Sequence, residues 1–299
     1  MRRPIENAQG VDISGALAGW SYQPGEVNVR LIRGNDGRRK IQLRLDLGLL
    51  QMETTGRPDG KRPHNCASEL DYQLRRKRAF ERKHESAAPF LISHADVRAL
   101  REESGMYYHR YVSFFVLGDY GAVIRDTQHN LDIFDLCRTA ARNPNDRNAL
   151  EHYRPHVLMM QGRARACAAL KHGYLGSALG YLRGALKQIE QCLTRDPRHP
   201  IDIKYSGEAR ILMHLIQDIK RQMPTDPREE LQQLLTKAVQ TENFEEAAAL
   251  RDQIMAMETM CGAERPASPG KAGKRHRASP PSDSTSDTNP PGEPPHPET

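Results

Sequence analysis

The 299-residue chain lacks several patterns on which secreted, metal-stabilised and membrane proteins depend. Its five cysteines are scattered without a CxxC pair, which argues against a zinc ribbon and against a disulfide framework. No apolar run approaches the length of a membrane helix, and the first ten residues, MRRPIENAQG, lack the apolar core of a secretory signal. The sequence therefore predicts a soluble protein of the reducing cytoplasm.

Motifs of hydrolytic and nucleotide-dependent chemistry are also missing. The chain has no GxxxxGK[ST] phosphate loop, no HExxH and no nucleophile elbow. His152 and His156 have the spacing of metal ligands on a helix, but Pro155 between them disturbs that geometry. Asp132 and Asp135 lie one helical turn apart, which a solvated helix face explains better than an acid–base pair. We therefore predict a protein that is not an enzyme and that needs neither a metal nor another cofactor.

Large apolar residues are scarce, and they are absent from one end of the chain. The hydrophobic fraction is 37 % and the mean hydropathy is −0.73, values that are low for a compact enzyme. Residues 265–299 contain no Val, Ile, Leu, Met or aromatic residue, yet they hold 9 of the 20 prolines. Such a segment buries too little surface to offset its ordering entropy. The sequence predicts a disordered tail over residues 261–299.

Positive charge is concentrated at the other end. Residues 1–86 hold 17 Lys and Arg against 11 Asp and Glu, whereas the rest of the chain is balanced. Within this third, one predicted helix carries six cations: Arg75, Arg76, Lys77, Arg78, Arg82 and Lys83. Glu81 and Glu85 lie among them, so a solvated helix face is one interpretation; a contact with phosphates or with an acidic protein is the other. The second interpretation gives an alternative function, nucleic-acid binding by the basic N-terminal third.

Alternating hydrophobicity predicts a β-hairpin near the start of the chain. Residues 27–31 and 41–47 alternate between apolar and polar side chains around the Gly-rich turn 34–37, and residues 47–53 are expected to extend the second strand. We divide this part of the chain into a flexible arm, residues 1–19, and a β-hairpin plus basic helix, residues 20–92.

A helical body is predicted for residues 93–223, beginning with a helix that Ser93 caps. Two similar units follow, each a helix, a turn at Gly118 or Gly173, and a second helix with small residues. They resemble tetratricopeptide hairpins, although the glycines are 55 residues apart rather than about 34. The aromatic cluster of the first unit has a spacing that favours the core over base stacking: Tyr107, Tyr108, Tyr111, Phe114 and Phe115.

Residues 226–257 predict two short helices folded against each other. Asp226 has the position of an N-cap with Pro227 at the first helical position, and Asn243 caps a second helix with Glu246 at its third position. The first helix has one apolar stripe that is expected to be buried, and the second helix has an apolar stripe of its own. The stripes comprise Leu231, Leu234, Leu235, Ala238 and Val239, then Phe244, Ala247, Leu250, Ile254 and Met257.

These helices also carry a family resemblance. The residues that match are Leu231, Ala238, Val239, Glu242, Phe244, Glu245, Ala247, Ala248, Leu250, Arg251, Asp252 and Ile254. In this pattern the segment resembles the UVR motif, which is found in the excision-repair proteins UvrB and UvrC and in ClpC and McsA of protein quality control. The resemblance implies a helical hairpin over residues 224–260 that binds another copy of itself or a partner's helices. By resemblance, the partner-binding residues are Leu235, Val239, Glu242, Phe244, Ala247, Ala248, Arg251 and Asp252.

The resulting prediction is a mainly α protein: an N-terminal β-hairpin, a body of tetratricopeptide-like helical hairpins, a UVR-type helical hairpin and a disordered tail. Its expected function is that of a non-enzymatic adaptor in nucleotide-excision repair or in Clp-type protein quality control. The metal-binding cysteines of McsA and the nuclease and helicase parts of UvrC and UvrB are missing. A hairpin that only closes the protein's own core is the structural alternative.

Overall fold

The computed structural model describes residues 12–84, 89–195, 202–223 and 227–263. It is mostly helical with a small N-terminal antiparallel sheet, as predicted. Its packing separates two compact units, Met1–Pro224 and Thr225–Thr299. The predicted cap Asp226, most of the predicted arm and residues 264–299 of the predicted tail lie outside the described residues.

The sheet is a three-stranded meander rather than a two-stranded hairpin. Its strands are β1 (Asn28–Arg33), β2 (Arg39–Leu45) and β3 (Gly48–Glu53), in the order β1-β2-β3. The expectation that residues 47–53 extend the second strand is therefore wrong. Leu45 pairs with Gly48, so the chain reverses tightly at residues 46–47. Leucines stand on both sides of this turn, and the alternating pattern therefore does not reveal it.

Helices make up the rest of the first unit. α1 (Ser14–Leu17) is a short turn in the part of the predicted arm that is described, and α2 carries the predicted basic cluster. Ser93 caps α3 as predicted, and it forms a capping box with Asp96. The remaining bounds are α2 (Glu69–His84), α3 (His94–Val116), α4 (Tyr120–Ala140), α5 (Pro144–Asn148), α6 (Arg154–Leu170), α7 (Leu175–Leu193) and α8 (Gly207–Gln222).

Two helical hairpins, α3–α4 and α6–α7, form the centre of this unit, and one core extends from them to the sheet. Helices α6 and α7 approach closely at Gly162 of α6, where an added Cβ atom would lie 2.5 Å from the Cβ of Ala185 in α7. Tyr107, Tyr111 and Phe114 are buried and Phe115 packs against the core, so their predicted place is confirmed, whereas the prediction is wrong for Tyr108, which is 41 % exposed. The resemblance of these hairpins to tetratricopeptide units stays a prediction.

The second unit is a hairpin of α9 (Pro227–Gln240) and α10 (Phe244–Ala263). Its core is small: Ala238, Ala247 and Leu250 are buried, and Leu231 and Leu235 pack against them. α10 continues to Ala263, so it includes the first residues of the predicted tail. Across both units, no described helix is long and apolar enough to cross a membrane.

Candidate functional site

The turn of the α9–α10 hairpin has a defined hydrogen-bond pattern. The amide of Asn243 donates to the Ala238 carbonyl at 2.9 Å, and the amide of Glu242 donates to the Val239 carbonyl at 3.1 Å. This pair of bonds is the Schellman motif, whose C′ residue adopts a left-handed conformation. Here that residue is Glu242, with φ of 56°. Glycine is the usual residue at the C′ position, so the turn holds a charged residue in a backbone conformation that is strained for any residue other than glycine.

The next residue starts α10. The side-chain carbonyl oxygen of Asn243 accepts from the amide of Glu246 at 3.4 Å, and the Asn243 side-chain amide donates to the Glu246 carboxylate at 2.8 Å. The predicted cap at Asn243 is therefore confirmed. Because the cap fixes where α10 begins, it also fixes Phe244 as the first residue of the helix, directly beside the turn.

Apolar side chains of the hairpin fall into a buried set and an exposed set. Ala238, Ala247 and Leu250 are at most 8 % exposed, whereas Phe244 is 70 % exposed. Val239 is 52 % exposed. The prediction of one buried stripe on α9 is wrong for Leu234, which is 49 % exposed, and for Val239. Two short helices cover each other along a strip narrower than the apolar stripe of either helix.

The residues predicted to bind a partner divide in the same way. Ala247 lies inside the hairpin, and Leu235 is half-buried against the small core. The other six are exposed: Val239, Glu242, Phe244, Ala248, Arg251 and Asp252. An ion pair of 3.8 Å joins Arg251 and Asp252, both of which are largely in solvent. Partner contact by the exposed residues stays a prediction, while Ala247 and Leu235 also contribute to the packing of the hairpin itself.

The predicted basic cluster on α2 is partly engaged within the protein. Arg76 donates to Gln73 at 2.7 Å and pairs with Asp96 at 3.2 Å, and Lys77 lies 3.9 Å from Glu81. Arg75 contacts the Tyr72 ring. Among the described residues, no ion-pair partner is found for Arg78, Arg82 or Lys83, which are exposed. The helix therefore presents fewer independent cations than its sequence indicates.

A buried ion pair that the sequence did not reveal lies between α3 and α4. Arg110 and Asp126 form two hydrogen bonds, of 2.7 and 2.9 Å, and both side chains are almost fully buried. The same guanidinium donates to the carbonyls of Glu53 and Gly56, at 3.0 and 2.7 Å. The ring of Tyr107 lies 4.7 Å from it, and burial raises the pKa of this tyrosine to about 12. The pair thus joins two helices to the segment that follows β3.

Glu103 is a second buried polar centre. Its carboxylate accepts from the amides of Glu69 and Leu70 at the start of α2, at 2.7 and 3.2 Å, and from His129 at 2.9 Å. Burial opposes ionisation, but the hydrogen bonds from His129 and from the two amides outweigh it and hold the pKa of Glu103 below its usual value. No sequence pattern indicates this role, because the residues that bind Glu103 are far from it in the sequence.

The histidines considered as metal ligands line a cavity between α3 and α6. His152 and His156 lie there with His109 and Tyr108, and the cavity has a volume of about 570 Å³. Burial lowers the pKa of His109 and of His156, which keeps both rings neutral at neutral pH. No group of His, Cys, Asp and Glu side chains suited to a metal occurs in the described part of the chain.

Comparison with known families locates a match in the second unit. The UvrB/uvrC motif, UVR, matches residues 227–259, which are α9 and most of α10. The chain therefore contains a UVR motif, and this motif is the helical hairpin described above. Motifs of this kind mediate protein–protein or protein–DNA interactions. Neither the curated proteins nor the solved structures yield a match to the chain.

Proposed function

We propose that this protein is a non-enzymatic adaptor whose UVR hairpin binds a protein partner or a second copy of itself. The observation that carries the proposal is the position of Phe244. Its side chain is 70 % exposed at the first turn of α10, while the apolar residues that hold the hairpin together are buried. A large exposed aromatic at a defined helix start is an anchor that a partner can cover at little cost in conformational entropy.

The surroundings of Phe244 support this role. Val239 and Leu234 add exposed apolar surface on α9, and the hairpin core is too small to account for them. Glu242, Arg251 and Asp252 add charges of both signs. An apolar anchor within a mixed-charge rim is the usual composition of a protein interface, in which the apolar centre gives affinity and the charges give orientation. A partner helix with its own apolar stripe suits such a surface.

Two cellular settings fit an adaptor of this kind, nucleotide-excision repair and Clp-type protein quality control. Both use UVR motifs. The chain has neither the phosphate loop of a repair helicase nor the zinc-binding cysteine pairs of a quality-control protein such as McsA. In either setting it would therefore contribute binding, while the partner contributes the chemistry.

Truncation of the anchor tests the proposal. Phe244→Ala should leave the melting temperature nearly unchanged, because the side chain is mostly in solvent. Binding should weaken by about 2 kcal/mol or more, a loss of roughly 30-fold. The measurements are thermal unfolding and sedimentation of the purified full chain, together with capture of partners from the native cell by wild-type and variant bait.

A matched control separates this effect from a general loss of surface. Tyr205→Ala removes another exposed aromatic, 82 % exposed, from the first unit, and it should leave association and capture unchanged. If Phe244→Ala unfolds far earlier while its folded fraction binds normally, the hairpin is structural and the adaptor proposal fails. Equal association and capture by the wild type and Phe244→Ala would contradict it as well.

A further inference from the structure

A basic pocket lies beside the sheet, apart from the cluster on α2. It is formed where β2 begins and where the chain continues past β3, and its volume is about 680 Å³. Five cationic side chains line it: Arg38, Arg39, Arg57, Lys61 and Arg62. No sequence pattern connects these five residues, because they come from two segments that are about twenty residues apart and meet only in the fold.

The charge in this pocket is poorly neutralised by the protein. Glu53 is the only acidic residue of the lining, and its carboxylate is paired with Lys40, which lies outside the lining. Arg57 pairs with Glu103 at 3.2 Å and with Asp59 at 3.6 Å. The other four cations, two on each segment, are exposed, and they form no ion pair or side-chain hydrogen bond with any described residue. Net positive charge is therefore available to an external anion.

The segment that carries half of these cations is held in place from inside. Arg110 binds the carbonyls of Glu53 and Gly56, and Arg125 donates to the Thr54 carbonyl at 3.2 Å. A trans peptide unit points its N–H opposite to its C=O. The amides of Thr55 and Arg57 consequently point away from these guanidinium groups, and neither donates to a described residue. The buried Arg110–Asp126 pair thus fixes a segment with free donors on its outer side.

We propose that this basic pocket binds the phosphodiester backbone of a nucleic acid. Arginine forks and free backbone amides are the donors that phosphate oxygens accept. The four unpaired cations lie in solvent, which suits a chain of successive phosphates rather than one small phosphate compound, since a small ligand has most of its surface buried in its site. No aromatic side chain lines the pocket, so base stacking contributes nothing and binding is independent of sequence.

This site goes beyond the adaptor role of the UVR hairpin, and it differs from the nucleic-acid site expected on α2. Of the six α2 cations, Arg76 and Lys77 are paired within the helix or to α3, and Arg75 contacts Tyr72. The pocket brings its unpaired cations together with free backbone amides, and for this reason we place the phosphate contacts at the sheet edge rather than along α2. The two locations can be separated by variants with equal changes in net charge.

The experiment measures fluorescence anisotropy of labelled single-stranded DNA, RNA and duplex DNA with the full-length protein over a range of salt concentrations. One variant carries four changes in the pocket: R38Q, R39Q, K61Q and R62Q. Its control carries four on α2: R75Q, R78Q, R82Q and K83Q. All eight side chains are exposed, so folding should be preserved, and circular dichroism checks this. We expect the pocket variant to bind at least tenfold more weakly at low salt.

The salt dependence gives a second readout. If four phosphate contacts are lost, the slope of log K against log salt for a single strand should fall by about three, while the α2 control keeps the wild-type slope. An equal loss in both variants would overturn the placement of the site. Absence of binding by the wild type at low salt would overturn the proposal, and so would competition by polyglutamate or by inorganic phosphate as effective as that by the oligonucleotide. The Phe244→Ala variant should bind the oligonucleotide as well as the wild type does. A failure of the nucleic-acid proposal can therefore be distinguished from a failure of the adaptor proposal.

Discussion

Three helix-to-helix turns in this protein have the same hydrogen bonds but not the same residue at their centre. At the end of α3, the amides of Asp119 and Gly118 donate to Phe114 and Phe115; at the end of α6, Tyr174 and Gly173 donate to Ala169 and Leu170. The α9–α10 turn repeats the pattern. The central φ is 73° at Gly118 and 76° at Gly173, both glycines, but 56° at Glu242. The two turns of the body have glycine, which adopts this conformation without strain, whereas the turn of the UVR hairpin has a strained glutamate.

Packing differs between the same two regions. In the body, α3, α4, α6 and α7 share one core that also includes a buried ion pair. In the UVR hairpin, three buried residues and two half-buried leucines form the core, and larger apolar groups such as Phe244 remain in solvent. A hairpin this small is marginally stable alone. The body thus buries most of its large apolar groups, whereas the hairpin leaves such groups exposed and available for contact.

The largest effect should come from the buried charge of the body. Asp126→Asn removes the carboxylate from Arg110 and leaves a buried guanidinium without its counter-charge, which costs about 3–5 kcal/mol of unfolding free energy. Chemical denaturation measures the loss. The matched change in the hairpin is Asp252→Asn, where the carboxylate is 73 % exposed, and the expected change is within about 0.5 kcal/mol. Similar losses at the two sites would contradict the contrast between the regions.

Acid should also act on the body, through Glu103. Its pKa is held below the usual value, so its ionised form contributes stability above the pKa of the unfolded state, about 4.3. That contribution is lost as the pH falls through the lower folded value. Glu103→Gln should cost about 1–3 kcal/mol at neutral pH, and the difference from the wild type should narrow steadily below about pH 4. Denaturation at several pH values measures this difference. A constant difference down to pH 2 would show that folding does not lower the pKa of Glu103.

The sequence predicted what local patterns encode. Asn243 capping α10, Ser93 capping α3 and the glycine turns of the body depend on residues within a few positions of one another, and all are present in the structure. Long-range contacts were beyond such patterns. Arg110 reaches Gly56 across 54 residues, and the basic pocket joins residues 38–39 to 57–62, so neither has a periodic signal. The exposure of Leu234 was missed for a different reason: helical periodicity identifies an apolar stripe, but not how much of it a second helix covers.

The smallest effect concerns the turns themselves. A left-handed conformation costs a non-glycine residue about 1–2 kcal/mol, and a glycine costs about 0.4–1 kcal/mol through the entropy of the unfolded chain. Glu242→Gly should therefore stabilise the UVR hairpin by about 0.5–1 kcal/mol. Gly173→Ala should destabilise the body by a similar amount, since a Cβ atom there meets nothing within 4 Å and only the backbone strain remains. Denaturation of the two variants measures both effects.

Binding measurements test whether the strained Glu242 has a role at the partner interface. If Glu242 serves the partner through its carboxylate, Glu242→Gly gains stability but loses association, and Glu242→Asn separates the two contributions, because asparagine tolerates the left-handed conformation and carries no charge. Weaker association of Glu242→Asn at low salt, converging with the wild type at high salt, identifies an electrostatic contact at the rim. If Glu242→Gly is more stable and associates as well as the wild type, the side chain has no role at the interface, and the contrast between the turns reflects tolerance of strain alone.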